Sequence, residues 1–318
     1  MIGELQWAVS LGRIDIMNAV ISLGTFRPAP RIGHLELAKR VCSYLRNRKN
    51  SAIKFNVDLP DYSSFEVVDG NWGAQYGDCS EAVPLDAPVP KGNPVLLTTF
   101  VDANLMADVT TGRSRTGIIH LYNGTPIDWY CKNQNRVEGA TYGSEFQAAK
   151  TAVEQIVDHR TTLRYLGVPL GVVNGSDASW LFGDNLSVVN STVMPSGKLQ
   201  KRSHLLNYHM CREAQAAGII NFAHIDGKDN PADVLTKNRS SKEWFALLKP
   251  LIFWRSDSKN ADGTQDGSHI VEGSDIRPPT VARGVGHVYP SIRCFPDGLT
   301  SGSLFRSSTF RCCCQVFF

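Results

Sequence analysis

The sequence predicts an α/β fold in which a mixed sheet of five strands is flanked by helices, with a helical segment before it. Three strand-like runs follow one another from residue 95, and the pair Asn123–Gly124 between the second and third indicates a two-residue hairpin. Helical stretches then alternate with two further short apolar runs. Strands joined through helices should run parallel, so a sheet that begins as a meander becomes mixed.

The segment before the sheet is predicted to be helical over residues 1–50, with a break at Pro28 and Pro30 that divides it into two or three helices. Apolar residues recur there at helical spacing, with basic residues on the other face: Leu35, Ala38, Val41, Cys42 and Leu45. Residues 56–94 are rich in Gly, Pro, Asp and Ser, which is typical of a linker.

The later elements follow in a regular order. After the three strands we expect a long helix, a strand, a short helix, a second helix, a strand and a last helix. Their approximate bounds are 142–166, 178–182, the residues after 185, 203–217, 219–225 and 231–237. Pro231 suits the first turn of the last helix.

Composition points to a protein inside the cell. Of the 318 residues 42% are hydrophobic and 20% are charged, which is ordinary for a soluble protein. No apolar run approaches the roughly 18 residues of a membrane span, and the first residues lack the pattern of a signal peptide. We therefore expect no membrane partner. After Trp254 the sequence is polar and unpatterned, which predicts a disordered tail.

Local basic clusters suggest a polyanionic partner, although the net charge is only +3. One cluster lies in residues 39–49 and another includes Lys198, Lys201 and Arg202. Such clusters can follow a phosphate backbone. A solvated helix face explains each cluster equally well when it is taken alone.

Four acidic residues stand where this architecture brings chain ends together. We expect Asp102 to close the first strand, Glu145 to lie in the first turn of the long helix, Asp184 to end the fourth strand and Asp233 to lie in the first turn of the last helix. Sites in such sheets form at the carboxyl ends of strands. Clustered carboxylates suit hard cations, so the hypothesis is a site for two Mg²⁺ or Mn²⁺ ions.

The motifs around these residues resemble the ribonuclease H region of copia-type retrotransposons. The segments that carry the resemblance are FVDANLMADVTTGRSRTG, TPIDWYCKNQNRVEGATYGSEFQAA, WLFGDNLSVVNS and NPADVLTK, which begin at residues 100, 125, 180 and 230. Residues 2–23 and 33–46 resemble the end of the reverse transcriptase of the same family, after its polymerase palm.

The resemblance implies a ribonuclease H-like fold and a two-metal endonuclease that cuts the RNA strand of RNA–DNA hybrids. It makes Asp102, Glu145, Asp184 and Asp233 the catalytic metal ligands. Contacts with the hybrid are then expected from Ser144, Asn185, Lys201 and Arg202. The paired aspartates of a polymerase palm are absent from this sequence, so we expect no DNA synthesis. The polymerase part of the polyprotein is an expected partner, and a cytoplasmic virus-like particle is the expected location.

The same resemblance divides the chain. We expect a helical remnant of the reverse transcriptase, a linker, a ribonuclease H-like domain, a short helical extension and a disordered tail, with bounds 1–55, 56–94, 95–240, 241–254 and 255–318.

Two alternatives remain at this point. A transposase or integrase core uses a related fold but places its glutamate after the second aspartate, whereas Glu145 precedes Asp184. An inactive polyprotein fragment that only binds nucleic acid is the other alternative.

Overall fold

The computed structural model describes residues 1–68, 70–199, 201–239 and 241–253. Its helices are α1 (Ile2–Ser10), α2 (Met17–Thr25), α3 (Ile32–Asn47), α4 (Gly73–Tyr76), α5 (Thr141–Tyr165), α6 (Leu186–Val193), α7 (Leu205–Ala216), α8 (Asp233–Thr236) and α9 (Ser241–Leu248). Its strands are β1 (Ala52–Ile53), β2 (Leu97–Asp108), β3 (Arg113–Tyr122), β4 (Thr125–Asn133), β5 (Ser179–Gly183), β6 (Ile220–His224) and β7 (Ile252–Phe253). Short 3₁₀ helices, Ile14–Ile16 and Arg202–His204, precede α2 and α7.

The central sheet has five strands in the order β4-β3-β2-β5-β6. β2, β3 and β4 form the antiparallel meander, whereas β5 runs parallel to both β2 and β6. The prediction of a mixed sheet, with parallel pairing wherever a helix intervenes, is confirmed. Because β2 is central and joins both halves, residues at its middle lie near every other part of the sheet.

The β3–β4 turn has the conformation that its sequence predicts. Asn123 and Gly124 have φ values of 50° and 81°, so both lie in the left-handed region that a tight hairpin turn requires. The side-chain oxygen of Asn123 also accepts a hydrogen bond from the backbone N–H of Leu96, 2.8 Å away. The turn is therefore fixed both by its own residues and by the start of β2.

The first strand extends further than we expect from the sequence. Asp102 lies in the middle of β2 and does not close it. The parallel pairing with β5 ends at Val101 and Gly183, but the antiparallel pairing with β3 continues through Asn104 and resumes at Asp108. Asp102 thus marks the end of the parallel half only.

The two faces of the sheet are covered by different parts of the chain. Ile118 and Ile119 are neighbours on β3 and therefore point to opposite faces. Ile118 lies in a core formed with α5, α6 and α7, in which Phe146 is fully buried. Ile119 lies in a second core, to which α1, α2, α3, α8 and α9 contribute.

The helical segment and the region from residue 95 onwards share this second core. Val20 and Leu23 of α2 are buried together with Val234 and Leu235 of α8. β1, which follows α3, also pairs with β7 at the end of the described residues. The boundary that we expect near residue 55 does not separate two hydrophobic cores.

The connecting segment, residues 56–94, packs against the sheet and α5. Tyr62 and Phe65 contact Trp180 and Phe182 of β5, with ring centroids 4.9 to 5.9 Å apart. Farther along the segment, the Glu81 carboxylate accepts two hydrogen bonds from the buried Arg160 guanidinium of α5, at 2.8 and 2.7 Å. These contacts attach the segment to β5 at one point and to α5 at another.

Among the described helices, none combines the length and the apolar character that crossing a bilayer would demand. The disordered tail that we expect over residues 255–318 lies outside the described residues.

The close approach of α8 to the sheet depends on a glycine of β3. A Cβ at Gly117 would lie 2.6 Å from Cγ2 of Thr236 and 3.0 Å from the carbonyl oxygen of Ala232. We therefore expect Gly117→Ala to lower the free energy of unfolding by about 1–3 kcal/mol, measured by urea denaturation. Gly139→Ala is the control, because a Cβ there meets no atom within 4 Å. Equal stability of both variants would contradict this view of α8.

A buried histidine makes the stability of the fold depend on pH. Burial, followed by the neighbouring His159, lowers the pKa of His120 from 6.5 to about 4. The unfolded chain therefore takes up the proton first, and stability should fall as the pH decreases from 6.5 to 4. Thermal unfolding of His120→Asn should show a smaller loss of stability over this interval than the parent shows. If His120→Asn lost as much stability as the parent between pH 6.5 and 4, other groups would be responsible for the loss.

Candidate active site

Three carboxylates from three different elements meet beside the centre of the sheet. Asp102 of β2, Glu145 of α5 and Asp184, which follows β5, each place one oxygen within 4.8 Å of the others. Since the β2–β5 pairing ends at Val101 and Gly183, Asp102 and Asp184 are the next residues on neighbouring parallel strands. The end of this pairing therefore sets two of the carboxylates side by side.

Glu145 reaches this cluster from the helix that covers the sheet. It is the fifth residue of α5 and lies just beyond the first turn in which we expect it, because the helix begins at Thr141. The side chain is buried, and its carboxylate accepts a hydrogen bond from the backbone of Ala103. The helix face that packs on β2 thus directs Glu145 to the strand residues beside Asp102.

The fourth predicted carboxylate, Asp233, lies next to the cluster but is bound by two cationic side chains. Its Oδ1 is 2.7 Å from Nζ of Lys237, and its Oδ2 accepts a hydrogen bond from Arg239. The same Lys237 ammonium lies 2.9 Å from Oδ1 of Asp102 and 3.6 Å from Oδ2 of Asp184. One ammonium group therefore links Asp233 to the other carboxylates.

Asp102 has the environment of a cation ligand. Its side chain is 0% exposed, and its Oδ2 accepts a hydrogen bond from the hydroxyl of Thr236. Its Oδ1 is buried, and its partner among the described residues is the Lys237 ammonium, 2.9 Å away. A buried carboxylate is costly unless a cation compensates its charge. An all-oxygen donor set of this kind fits Mg²⁺ or Mn²⁺.

Burial and repulsion between the carboxylates disfavour their ionised forms in this cluster. Burial, followed by the charge of Asp233, raises the pKa of Asp102 from 3.8 to about 7. Burial, followed by Asp102 and Asp184, raises the pKa of Glu145 well above 4.5. Burial acts to lower the pKa of Lys237, but the Asp102 charge and the hydrogen bonds to both aspartates outweigh it, so this pKa is raised. Lys237 therefore stays charged.

The predicted nucleic-acid contacts differ in accessibility. Lys201 and Arg202 are exposed at the 3₁₀ helix before α7. Asn185 is partly exposed and caps α6, because its side-chain oxygen accepts from the backbone N–H of Val188 at 3.2 Å. Ser144 is 0% exposed, and its hydroxyl donates to the carbonyl of Thr141. Its side chain is thus a helix-packing group that a nucleic acid cannot reach in this structure.

The site also contains three residues that we did not predict from the sequence. Thr236 and Lys237 contact Asp102 directly. Asn230, fully buried, donates to the carbonyl of Val101 and so anchors the start of α8 beside Asp102. All three belong to the NPADVLTK motif. Their closeness to Asp233 in the sequence is the signal that could have indicated a role in the site. His224 of β6 lies with Nε2 3.1 Å from the backbone oxygen of Asp184.

The described residues form an α/β fold whose helices cover both faces. Its defining feature here is a five-stranded mixed sheet with an acidic cluster where β2 and β5 part. The N-terminal ribonuclease H domain of a Mycobacterium tuberculosis protein has a similar solved structure, with TM-score 0.34 and 14% identity over 49% of this chain and 97% of that one. Ribonuclease H1 of Halobacterium salinarum is similar with TM-score 0.33 and 16% identity over 46% and 96% of the two chains.

The resemblance to copia-type polyproteins is confirmed by curated relatives. The chain is similar to the retrovirus-related Pol polyprotein from transposon TNT 1-94 of Nicotiana tabacum, with 22% identity over 80% of this chain. It is also similar to the corresponding polyprotein from transposon RE2 of Arabidopsis thaliana, with 23% identity over 74% of this chain. The chain spans only 16% and 14% of the length of these two relatives. No family model matches the chain.

The raised pKa of Glu145 predicts that this carboxylate destabilises the metal-free protein. Its contribution to stability is greatest below pH 4.5 and is lost as the pH rises through its folded pKa. Glu145→Gln should therefore unfold at a higher temperature than the parent at pH 8 in the presence of a chelator, and the difference should shrink towards pH 4.5.

The control for this measurement is Glu154→Gln. Glu154 lies on the exposed side of the same helix, where it pairs with Lys150 at 2.5 Å. It should give no such gain at pH 8. A Glu145→Gln variant that is less stable than the parent at pH 8 would show that Lys237 already neutralises the cluster.

Proposed function

We propose that this chain is a ribonuclease H-type endonuclease that hydrolyses the RNA strand of RNA–DNA hybrids during retrotransposon reverse transcription. The observation that carries the proposal is the convergence of Asp102, Glu145 and Asp184, with oxygens within 4.8 Å of one another. The similarity to retrovirus-related Pol polyproteins supports the same reaction class.

The cofactor that fits this chemistry is a pair of Mg²⁺ or Mn²⁺ ions. Asp102, Glu145 and Asp184 would hold one ion, and Asp233 would complete the ligand set for the second once Lys237 and Arg239 release it. Bound divalent ions supply Lewis acidity that activates water and stabilises the departing 3′ oxygen. The chain itself keeps the ligands in place through Thr236, which holds Oδ2 of Asp102.

We propose that basic and polar side chains contact the sugar–phosphate backbone of the substrate. Lys201 and Arg202 are exposed and can contact phosphates. The electrostatic contribution of these contacts to binding affinity should weaken with added salt. Asn185, next to Asp184, is the proposed polar contact nearest to the site. The polymerase part of a longer polyprotein is the proposed partner, and a virus-like particle is the proposed location.

The competing proposal is a protein that binds nucleic acid without cutting it. The observation in its favour is the Lys237 ammonium, which pairs with Asp102 and Asp233 and can replace a metal ion as their counter-charge. A transposase-type core is disfavoured because Glu145 precedes Asp184 in the chain.

A cleavage assay distinguishes these proposals. The parent should cut a labelled RNA–DNA hybrid when Mg²⁺ or Mn²⁺ is present and should leave duplex DNA intact. Asp184→Asn should lower kcat by about two or more orders of magnitude, because it removes a ligand that the transition state needs.

The matched control is Asp158→Asn, an exposed residue of α5 that should cut at the parental rate. Hybrid binding without cleavage by the parent, in either metal, would favour the non-catalytic protein. Cleavage of duplex DNA in preference to the hybrid would favour the transposase-type core.

A further inference from the structure

The helix that carries Asp233 is too short to hold its own position. α8 has four residues, and isolated helices of this length are unstable in water. Its Val234 and Leu235 are 0% exposed and pack in the same core as α2. The position of Asp233 therefore depends on what contacts α8 from outside.

Two asparagine side chains donate hydrogen bonds to consecutive backbone carbonyls at the end of α8. Asn104 of β2 donates to the carbonyl of Thr236 at 3.0 Å, and Asn18 of α2 donates to the carbonyl of Lys237 at 3.1 Å. The side chains of Thr236 and Lys237 are those that contact Asp102. The sheet thus holds one of these residues, and the helical segment at the start of the chain holds the other.

Asn18 is itself fixed by a buried polar network. It is 1% exposed, and its amide also donates to Oδ1 of Asn238 at 3.0 Å. Its own Oδ1 accepts a hydrogen bond from Nη1 of Arg115, which is 4% exposed and also donates to Ser22 at 2.8 Å. Because Arg115 is buried and the Lys237 partner is a backbone carbonyl, Asn18 has a defined orientation towards residue 237.

We infer that Asn18 is a positioning residue for the active site and that α2 is a working part of the nuclease. This inference depends on the proposed function, since it assigns Asn18 a role in that site. Asn18 acts through the backbone of Lys237, which sets where the ammonium lies between Asp102 and Asp233. Loss of this hydrogen bond shifts the ligands of the proposed ions without removing any of them.

The test uses the full chain and the variant Asn18→Asp. An aspartate keeps the size of the side chain and can still accept from Arg115, but it cannot donate to Lys237 or Asn238. Ser22→Ala is the matched control, because it removes another partner of Arg115 on the same helix and leaves the Asn18 donors intact. Asn18→Ser is the second variant if the charged substitution does not fold.

Mn²⁺ binding is measured first by calorimetry, and then kcat and KM are measured on a labelled hybrid. Asn18→Asp should weaken Mn²⁺ binding and lower kcat, each by ~10- to 100-fold, the usual cost of removing a group that orients metal ligands. KM for the hybrid should stay within about twofold. Ser22→Ala should match the parent in all three quantities.

Parental Mn²⁺ affinity and kcat in Asn18→Asp would overturn the inference and leave the proposed function standing. Equal losses in Ser22→Ala and Asn18→Asp would also overturn it, since they would indicate a general loosening of α2. A parent that neither binds Mn²⁺ nor cuts the hybrid would instead refute the proposed function on which the inference rests.

Discussion

Negative charge gathered in a buried space is the constraint on which this architecture depends. Asp102 and Asp233 are both 0% exposed, and Glu145 is buried beside them. Such groups repel one another strongly where water cannot screen them, so their approach requires a compensating cation. Lys237 supplies that charge within the protein and contacts three of the four carboxylates. The same balance makes the site suitable for divalent ions.

The fold meets this constraint by fixing each acidic residue from a different direction. The β2–β5 pairing ends beside Asp102 and Asp184 and so positions both. α5 packs on one face of the sheet and places Glu145 next to β2. α8 brings Asp233 from the other face, where it rests on the core that α2 shares. The site is thus built from both faces of the sheet, and helices from the start of the chain form part of the cover of one face.

Local signals in the sequence predicted much of the fold. The hairpin at Asn123–Gly124 follows from the preference of those residues for positive φ, and the parallel strands follow from the helices between them. The end of β2 could not be predicted in the same way. Its length depends on how far β3 continues to pair, which is decided between strands and leaves no local signal at Asp102.

The sequence by itself indicated Asp102, Glu145 and Asp184, which the structure brings together, since their motifs and order along the chain carry the resemblance to the ribonuclease H region. Only the tertiary structure decided that Lys237 binds Asp102 and Asp233, that Ser144 is inaccessible and that Asn18 reaches the backbone of Lys237. The physical reason is distance along the chain. Asn18 and Lys237 are separated by 219 residues, and a hydrogen bond across such a separation exists only when the whole core is packed.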